Sequence, residues 1–172
     1  MPAIVCGARA MILVAIGGNL PGAHGQAPLV LCRAAAEALR GLPALRVAGV
    51  SRWYETAPVP PSAQPNYVNG VVRLEGEADP GWLLARLHRI ERMAGRRRGE
   101  RNAARTLDLD LIDLNGLCRA APDPVLPHPR AHERAFVLVP LIDVAPDWVH
   151  PSLGRGVADL IADLSQQGIA PI

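Results

Sequence analysis

The stretch RNAARTLDLDLI at 101–112 combines the two features that decide the fold and the chemistry of this chain. Its second half alternates leucine with aspartate, which predicts a β-strand because successive side chains of a strand point to opposite faces. Asp108 and Asp110 then share one face, about 7 Å apart along the strand, and the leucines beside them share the other. Such a strand can bury its leucines in a core while it presents two neighbouring carboxylates.

Arginines precede this strand at high density. They are Arg96, Arg97, Arg98, Arg101 and Arg105. Paired carboxylates can hold one or two hard cations such as Mg²⁺, and guanidinium groups bind phosphate oxygens. The combination predicts a phosphoryl-transfer site. The alternative is a half-exposed strand with solvated aspartates after a solvated basic loop, but the adjacency of the two groups favours the functional interpretation.

The composition bounds the class of protein. The chain has 172 residues, of which 49% are hydrophobic and 20% charged, as expected for one globular domain with its own core. No apolar run approaches the roughly 20 residues of a membrane helix, and a net charge of +2 argues against bulk nucleic-acid binding. All 18 basic residues are arginines, which excludes a Walker A loop and the strand lysine of protein kinases.

The cysteines and the first residues bear on location and domain limits. Three widely spaced cysteines without a CxxC pair are typical of thiols in a reducing compartment, and residues 1–10 lack the apolar run of a signal peptide. We therefore expect a cytoplasmic protein. Because Met11 directly precedes the first strong strand, we expect 1–10 to be an extension or a wrongly assigned start and 11–172 to form a single domain.

Apolar periodicity and Gly or Pro punctuation predict the other elements. The predicted strands cover 11–19, 45–56, 67–75 and 107–114, and the predicted helices cover 28–40 and 79–94. Strand–helix–strand–strand–helix–strand is the order of a ferredoxin-like α/β (α+β) sandwich with its helices on one sheet face. The proline-rich segments 57–65 and 121–130 are predicted loops, and the apolar spacing at 157–164 predicts a short C-terminal helix.

The 101–112 segment also resembles the signature of the 6-hydroxymethyl-7,8-dihydropterin pyrophosphokinase family of folate biosynthesis. The matching positions are Arg101, Ala103, Ala104, Arg105, Asp108, Asp110, Leu111 and Ile112. Further segments resemble the family in the same order from about residue 12 to 155. The resemblance implies a monomeric ferredoxin-like enzyme, with a small C-terminal elaboration, that uses two Mg²⁺ and ATP as co-substrate. It would transfer pyrophosphate to the hydroxymethyl group of the pterin and release AMP, with small-molecule substrates and no nucleic-acid or membrane partner.

The resemblance also implies a role for particular residues. Arg96 and Arg105 would be catalytic, and Asp108 and Asp110 would bind the metal. The pterin would be bound by Thr56, Ala57, Val59, Tyr67, Asn69 and Phe136, with two aromatic rings stacking on the flat heterocycle. ATP would contact Arg98, His128, Arg134, Leu84, His88, Glu91 and Leu111.

Structural alternatives stay open at several positions. A lone Tyr or Phe is more often part of a core, and Leu84 and Leu111 would be core residues in any interpretation. His128 and His132 have the spacing of a zinc pair, but Pro129 between them and the lack of a Cys or HExxH partner argue against zinc.

The sequence assigns no functional role to Asp113 or to the turn after the first strand. By strand parity Asp113 falls on the leucine face, so we expect it past the strand end or half-exposed. Gly17-Gly18-Asn19 ends the first strand without a following GxGxxG or GK[ST], so we expect a turn.

The main alternative function is a non-enzymatic ferredoxin-like module that uses its arginines to bind RNA. Such a module needs stacking aromatic residues on its central strands, whereas aliphatic residues occupy those positions: Val14, Ile16, Leu109 and Leu111. A second alternative is another Mg²⁺-dependent nucleotidyl or phosphoryl transferase with a different acceptor.

Overall fold

The computed structural model describes residues 10–96, 104–164 and 167–172. Arg98, and all but the last residue of the predicted extension at 1–10, lie outside this described part. The strands are β1 (Ile12–Gly18), β2 (Leu45–Val50), β3 (Tyr54–Thr56), β4 (Tyr67–Gly76), β5 (Asp108–Leu114) and β6 (Ile169–Pro171). The helices are α1 (Pro28–Leu39), α2 (Pro80–Met93), α3 (Ala135–Val144) and α4 (Val157–Ala162), with a 3-10 turn at Ala131–Glu133 before α3.

The strands form one antiparallel sheet in the order β5-β1-β4-β3-β6, and β2 pairs with β4 beside β3. Without β6 this is the strand order of a ferredoxin-like sandwich, because β1 and β4 are central and β5 and the β2–β3 pair flank them. The predicted fold class is confirmed. No helix among the described residues has the length and apolar character that crossing a bilayer requires.

Two apolar clusters cover the two faces of the sheet. The helices α1 and α2 pack on one face through residues such as Cys32, Leu39, Leu83 and Leu87, together with the leucines of β5. The C-terminal elaboration packs α3 and α4 on the opposite face, where Val137, Leu138, Leu141, Val157 and Leu160 surround Trp148. Helix α3 and strand β6 are the two elements of the C-terminal elaboration that sequence periodicity did not predict.

The predicted strand at 45–56 is wrong in one respect, because the structure divides it into β2 and β3. Ser51 stands between the two strands, accepts a hydrogen bond from Val71 N at 2.9 Å through its side chain and donates its own N–H to Val71 O at 2.9 Å. Trp53 then turns over β4 at Gly70, where a Cβ would lie only 2.6 Å from the indole ring. A serine side chain thus interrupts the ladder, and a glycine makes room for the indole.

A β-bulge in β5 reverses the side-chain parity of its last residues. Leu13 of β1 lies opposite Asp113, whereas the next residue, Val14, lies opposite Leu111, so Ile112 is an additional residue in β5. One extra residue moves every following side chain to the other face. Asp113 consequently shares a face with the two preceding aspartates.

The expectation that Asp113 is half-exposed is therefore wrong. Its side chain is buried, with 2% exposure, and accepts hydrogen bonds from Trp148 Nε1 at 2.7 Å and Gly116 N at 2.8 Å. Burial raises the pKa of this carboxyl, and the two hydrogen bonds oppose the shift. Asp113 connects the end of β5 to the C-terminal elaboration.

We predict that Asp113→Ala lowers the free energy of unfolding by about 1–3 kcal/mol, because it leaves the buried Trp148 N–H without its acceptor. Urea denaturation measures this loss. The exposed Asp147 provides the control, and Asp147→Ala should change the value by less than about 0.5 kcal/mol. Equal effects of the two substitutions would contradict a specific role for the Trp148–Asp113 bond.

Candidate functional site

A cavity of about 340 Å³ opens on the sheet face opposite α1 and α2, beside the start of α3. Ten predicted site residues line it: Thr56, Ala57, Val59, Tyr67, Asn69, Arg105, Asp108, Asp110, Arg134 and Phe136. The other walls include β1 and the proline-rich loop at 57–65. The structure thus brings together residues from β3, β4, β5 and α3 that lie up to 80 positions apart in the sequence.

Asp108 and Asp110 project from β5 toward this cavity. The register places them opposite Gly17 and Ala15 of β1, and their side chains are 20% and 34% exposed. Burial, and then the negative charge of Asp108, raise the pKa of Asp110, while nearby His128, Arg134 and Arg105 lower it. The two carboxylates therefore repel each other, and a cation between them would relieve that repulsion.

The donor set fits a hard cation that keeps open coordination positions. Among the described residues, no group of three or more His, Cys, Asp or Glu side chains is arranged to hold a metal ion. Two carboxylates alone leave most positions of an octahedral Mg²⁺ to water or to the oxygens of a substrate phosphate. The arrangement suits Mg²⁺ that arrives with a nucleotide better than it suits a structural zinc ion.

Arginines surround the two carboxylates. Arg96 contacts Asp108 at 2.7 Å and also pairs with Glu91. Arg105 pairs with Asp108, and Arg134 lies 3.8 Å from Asp110. Burial lowers the pKa of Arg134, and Asp110 opposes that shift. Arg105 and Arg134 line the cavity, whereas Arg96 contacts Asp108 without lining it. Guanidinium groups in such positions are suited to phosphate oxygens.

The other end of the cavity is aromatic and hydrogen-bonding. Asn69 donates from Nδ2 to Thr56 Oγ1 at 2.7 Å, and both side chains are buried. Tyr67 lies two residues earlier on β4, and Phe136 belongs to α3. Gly17 of β1 keeps the space beside Asn69 open, since a Cβ there would lie 2.7 Å from its Oδ1. A flat polar ring could therefore contact both the amide and the aromatic side chains.

Asn19 supports the site without lining the cavity, and the sequence assigned it no role. Its amide is buried, with 2% exposure. It donates to Gln64 Oε1 at 3.2 Å and to Pro65 O at 3.1 Å, and it accepts from Arg105 N at 2.9 Å. Gln64 Oε1 also accepts from Tyr67 OH at 2.9 Å. One amide thus connects Arg105, which precedes β5, with the proline-rich loop. Its place at the end of β1 offered no signal beyond a turn.

Five predicted ATP contacts do not line the cavity. Leu111 is buried in the core under α1 and α2, and Leu84 and His88 are half-buried on α2. Glu91 accepts from Leu109 N at 2.7 Å, and burial raises its pKa to about 7. Burial lowers the pKa of His128, and the nearby negative charge of Asp110 opposes that shift. The roles of these five residues stay predictions, as does that of Arg98 outside the described residues.

Known proteins resemble this chain over most of its length. The family model described as 7,8-dihydro-6-hydroxymethylpterin-pyrophosphokinase (HPPK) matches residues 13–146. The chain belongs to the HPPK family. A Pseudomonas aeruginosa relative, named 2-amino-4-hydroxy-6-hydroxymethyldihydropteridine pyrophosphokinase, is 39% identical over 158 residues, which cover 92% of this chain and 94% of the relative. A Synechocystis relative of the same name is also 39% identical, over 74% of this chain and 65% of its own length.

Solved structures agree on the fold. The crystal structure of Plasmodium falciparum HPPK-DHPS superposes with a TM-score of 0.64 at 12% identity and covers 90% of this chain. This chain spans only 41% of that longer protein. At such low identity the likeness supports the fold alone. The family membership leaves the RNA-binding alternative without support.

We predict that Asn19→Ala lowers the free energy of unfolding by about 1–3 kcal/mol, because Arg105 N and Gln64 lose a buried partner. Chemical denaturation gives this value. The exposed Asn66, whose Nδ2 donates to Glu55 Oε1 at 2.8 Å, is the matched control. Asn66→Ala should stay within about 0.5 kcal/mol of wild type, and a similar cost at both asparagines would argue against a connecting role for Asn19.

Proposed function

We propose that this protein transfers the pyrophosphoryl group of ATP to the hydroxymethyl group of 6-hydroxymethyl-7,8-dihydropterin and releases AMP, a step of folate biosynthesis. The observation that carries the proposal is the division of one cavity into two ends. Asp108, Asp110, Arg105 and Arg134 line one end, where Arg96 contacts Asp108, and Asn69, Thr56 and two aromatic rings line the other. The names of the relatives support the same activity.

The pterin would occupy the aromatic end. Tyr67 and Phe136 would pack against the faces of the heterocycle, while Asn69 and Thr56 would hydrogen-bond its polar edge. The backbone of Ala57 and Val59 would supply further polar groups from the proline-rich loop, which forms one wall of the cavity. This placement would direct the hydroxymethyl group toward the two aspartates.

The triphosphate would occupy the charged end. Arg134 and Arg105 would bind phosphate oxygens, and Arg96, which now contacts Asp108, would join them. These arginines would take up negative charge that develops on the bridging oxygen and on the transferred group. In phosphoryl transfer most of the acceleration comes from alignment and charge neutralisation, so the site does not require a strong general base.

We assign the metal to Asp108 and Asp110. Two Mg²⁺ ions bound there would neutralise phosphate charge and lower the pKa of the attacking hydroxyl. The two aspartates face the cavity from one strand, and their mutual repulsion favours a bound cation. The proline-rich loop, which forms one wall of the cavity, would exclude water that could otherwise hydrolyse ATP.

Three expectations from the sequence stay proposals. We propose that residues 11–172 form one domain, that the enzyme acts as a monomer and that it works in the cytoplasm. Each follows from composition and family resemblance, and the monomer can be checked by sedimentation of the purified chain.

The decisive experiment follows nucleotide products by chromatography. With ATP, Mg²⁺ and the pterin alcohol, we expect AMP and the pterin diphosphate in equal amounts. Without the pterin alcohol, we expect almost no AMP. Formation of ADP would indicate transfer of a single phosphoryl group, and AMP formation without the pterin would indicate hydrolysis of ATP. Either result would contradict the proposal.

We predict that Asp110→Ala reduces turnover more than about a hundredfold, equivalent to at least roughly 3 kcal/mol of activation free energy, because one metal ligand is lost. The fold should survive, since the side chain faces the cavity. Steady-state kinetics and a thermal melt measure both effects. The control is Asp163→Ala, which removes the same charge from an aspartate with 62% side-chain exposure. Near-normal activity of Asp110→Ala would refute the metal assignment.

A further inference from the structure

The C-terminal segment 167–172 contacts two opposite walls of the cavity, although the part of the chain that matches the family model ends at residue 146. On one side β6 pairs with β3, so that Ile169 lies opposite Thr56. Ala57 N donates to Gly168 O at 3.4 Å on the same side. On the other side Gln167 reaches the start of α3. The segment therefore adds a connection between β3 and the start of α3, the two parts of the cavity wall that it contacts.

The side chain of Gln167 holds the backbone on both sides of Arg134. Its Oε1 accepts a hydrogen bond from Ala135 N at 3.1 Å, and its Nε2 donates to Glu133 O at 3.3 Å. Ala135 is the first residue of α3, where backbone N–H groups lack a partner inside the helix. Arg134, at the N-cap, makes no side-chain capping bond. Gln167 supplies the missing acceptor from a distant part of the chain.

Arg134 and Phe136, which adjoin the backbone groups that Gln167 binds, both line the cavity. Arg134 lies 3.8 Å from Asp110, and its guanidinium stands 5.5 Å from the centre of the Phe136 ring. A shift of the short backbone segment between Glu133 and Ala135 would move both side chains together. The two hydrogen bonds of Gln167 therefore set the position of a charged group and an aromatic group at once.

We propose that Gln167 is a positioning residue of the substrate site, acting through Arg134 and Phe136, and that the segment 167–169 is a strap across the pterin end of the cavity. This inference rests on the proposed function, which places the pterin between Phe136 and the β3–β4 wall. It assigns to the C-terminal segment a part in substrate binding that the matched region 13–146 does not include.

The test compares Gln167→Met with Gln26→Met. Methionine has a similar length but makes neither hydrogen bond. Gln26 is also half-buried and also accepts a backbone bond, from His24 N at 3.1 Å, but it does not line the cavity. Pterin affinity is measured by calorimetry with a non-hydrolysable ATP analogue and Mg²⁺ present, and analogue affinity is measured without the pterin. Hydrogen exchange of the peptide over 131–137 is recorded for both variants and the wild type.

We expect Gln167→Met to weaken pterin binding on the order of tenfold, the effect of one well-formed hydrogen bond. Affinity for the ATP analogue should change less, and exchange over 131–137 should become faster. Gln26→Met should match wild type in all three measurements. Gln167→Glu keeps the acceptor for Ala135 N but places a second oxygen against Glu133 O in place of the donor, so it should also weaken pterin binding.

Two results would overturn the inference. One is an unchanged exchange rate and pterin affinity in Gln167→Met. The other is an equal loss of affinity for both ligands together with a lowered melting temperature, which would indicate a general structural effect. Failure of the proposed function has a different signature, because the wild type itself would then neither bind the pterin alcohol nor form AMP with it.

Discussion

The pairing of β5 with β1 is the constraint on which the rest of the molecule depends. It buries Leu109 and Leu111 against α1 and α2 and, through the same alternation, directs Asp108 and Asp110 to the opposite face. A register shift of one residue would exchange these faces and place carboxylates in the core. The apolar core thus keeps the acidic pair oriented, so fold stability and site geometry rest on the same strand.

The charges of the site are balanced before any substrate binds. Asp108 is paired with two arginines, and Asp110 has Arg134 nearby. Buried or half-buried charges are tolerated only when they have such partners. A phosphate chain with its cations carries both kinds of charge, so it can replace these pairs with new ones. The ion pairs therefore prepare the cavity for a ligand of the same charge pattern.

Two buried or half-buried amides connect the walls of the cavity. Asn19 joins the end of β1 to Arg105 and to the proline-rich loop, and Gln167 joins the C-terminal segment to the start of α3. Both lie far in sequence from the groups they hold. Each satisfies backbone groups that helices and sheets leave without partners. Side-chain hydrogen bonds from distant parts of the chain therefore fix the loops around the cavity.

Local sequence patterns determined the central sandwich and the acidic pair. The alternation at 106–111, the helices with their glycine and proline boundaries and the Asp79 cap, which accepts from Trp82 N at 2.8 Å, depend on residues close together in the chain. Family resemblance, a match of local motifs, likewise named ten of the residues that line the cavity. Their roles, and those of the residues predicted on α2, at Leu111 and at His128, stay predictions.

Only the tertiary structure decided the interruption at Ser51, the bulge that turns Asp113 toward Trp148, and the roles of Asn19 and Gln167. Each depends on a partner at least 20 residues away. A local pattern carries no information about such a partner, because the pairing exists only once the sheet and the C-terminal elaboration have packed together. For that reason the sequence by itself could place the acidic pair on one strand face, but not the contacts that shape the cavity around it.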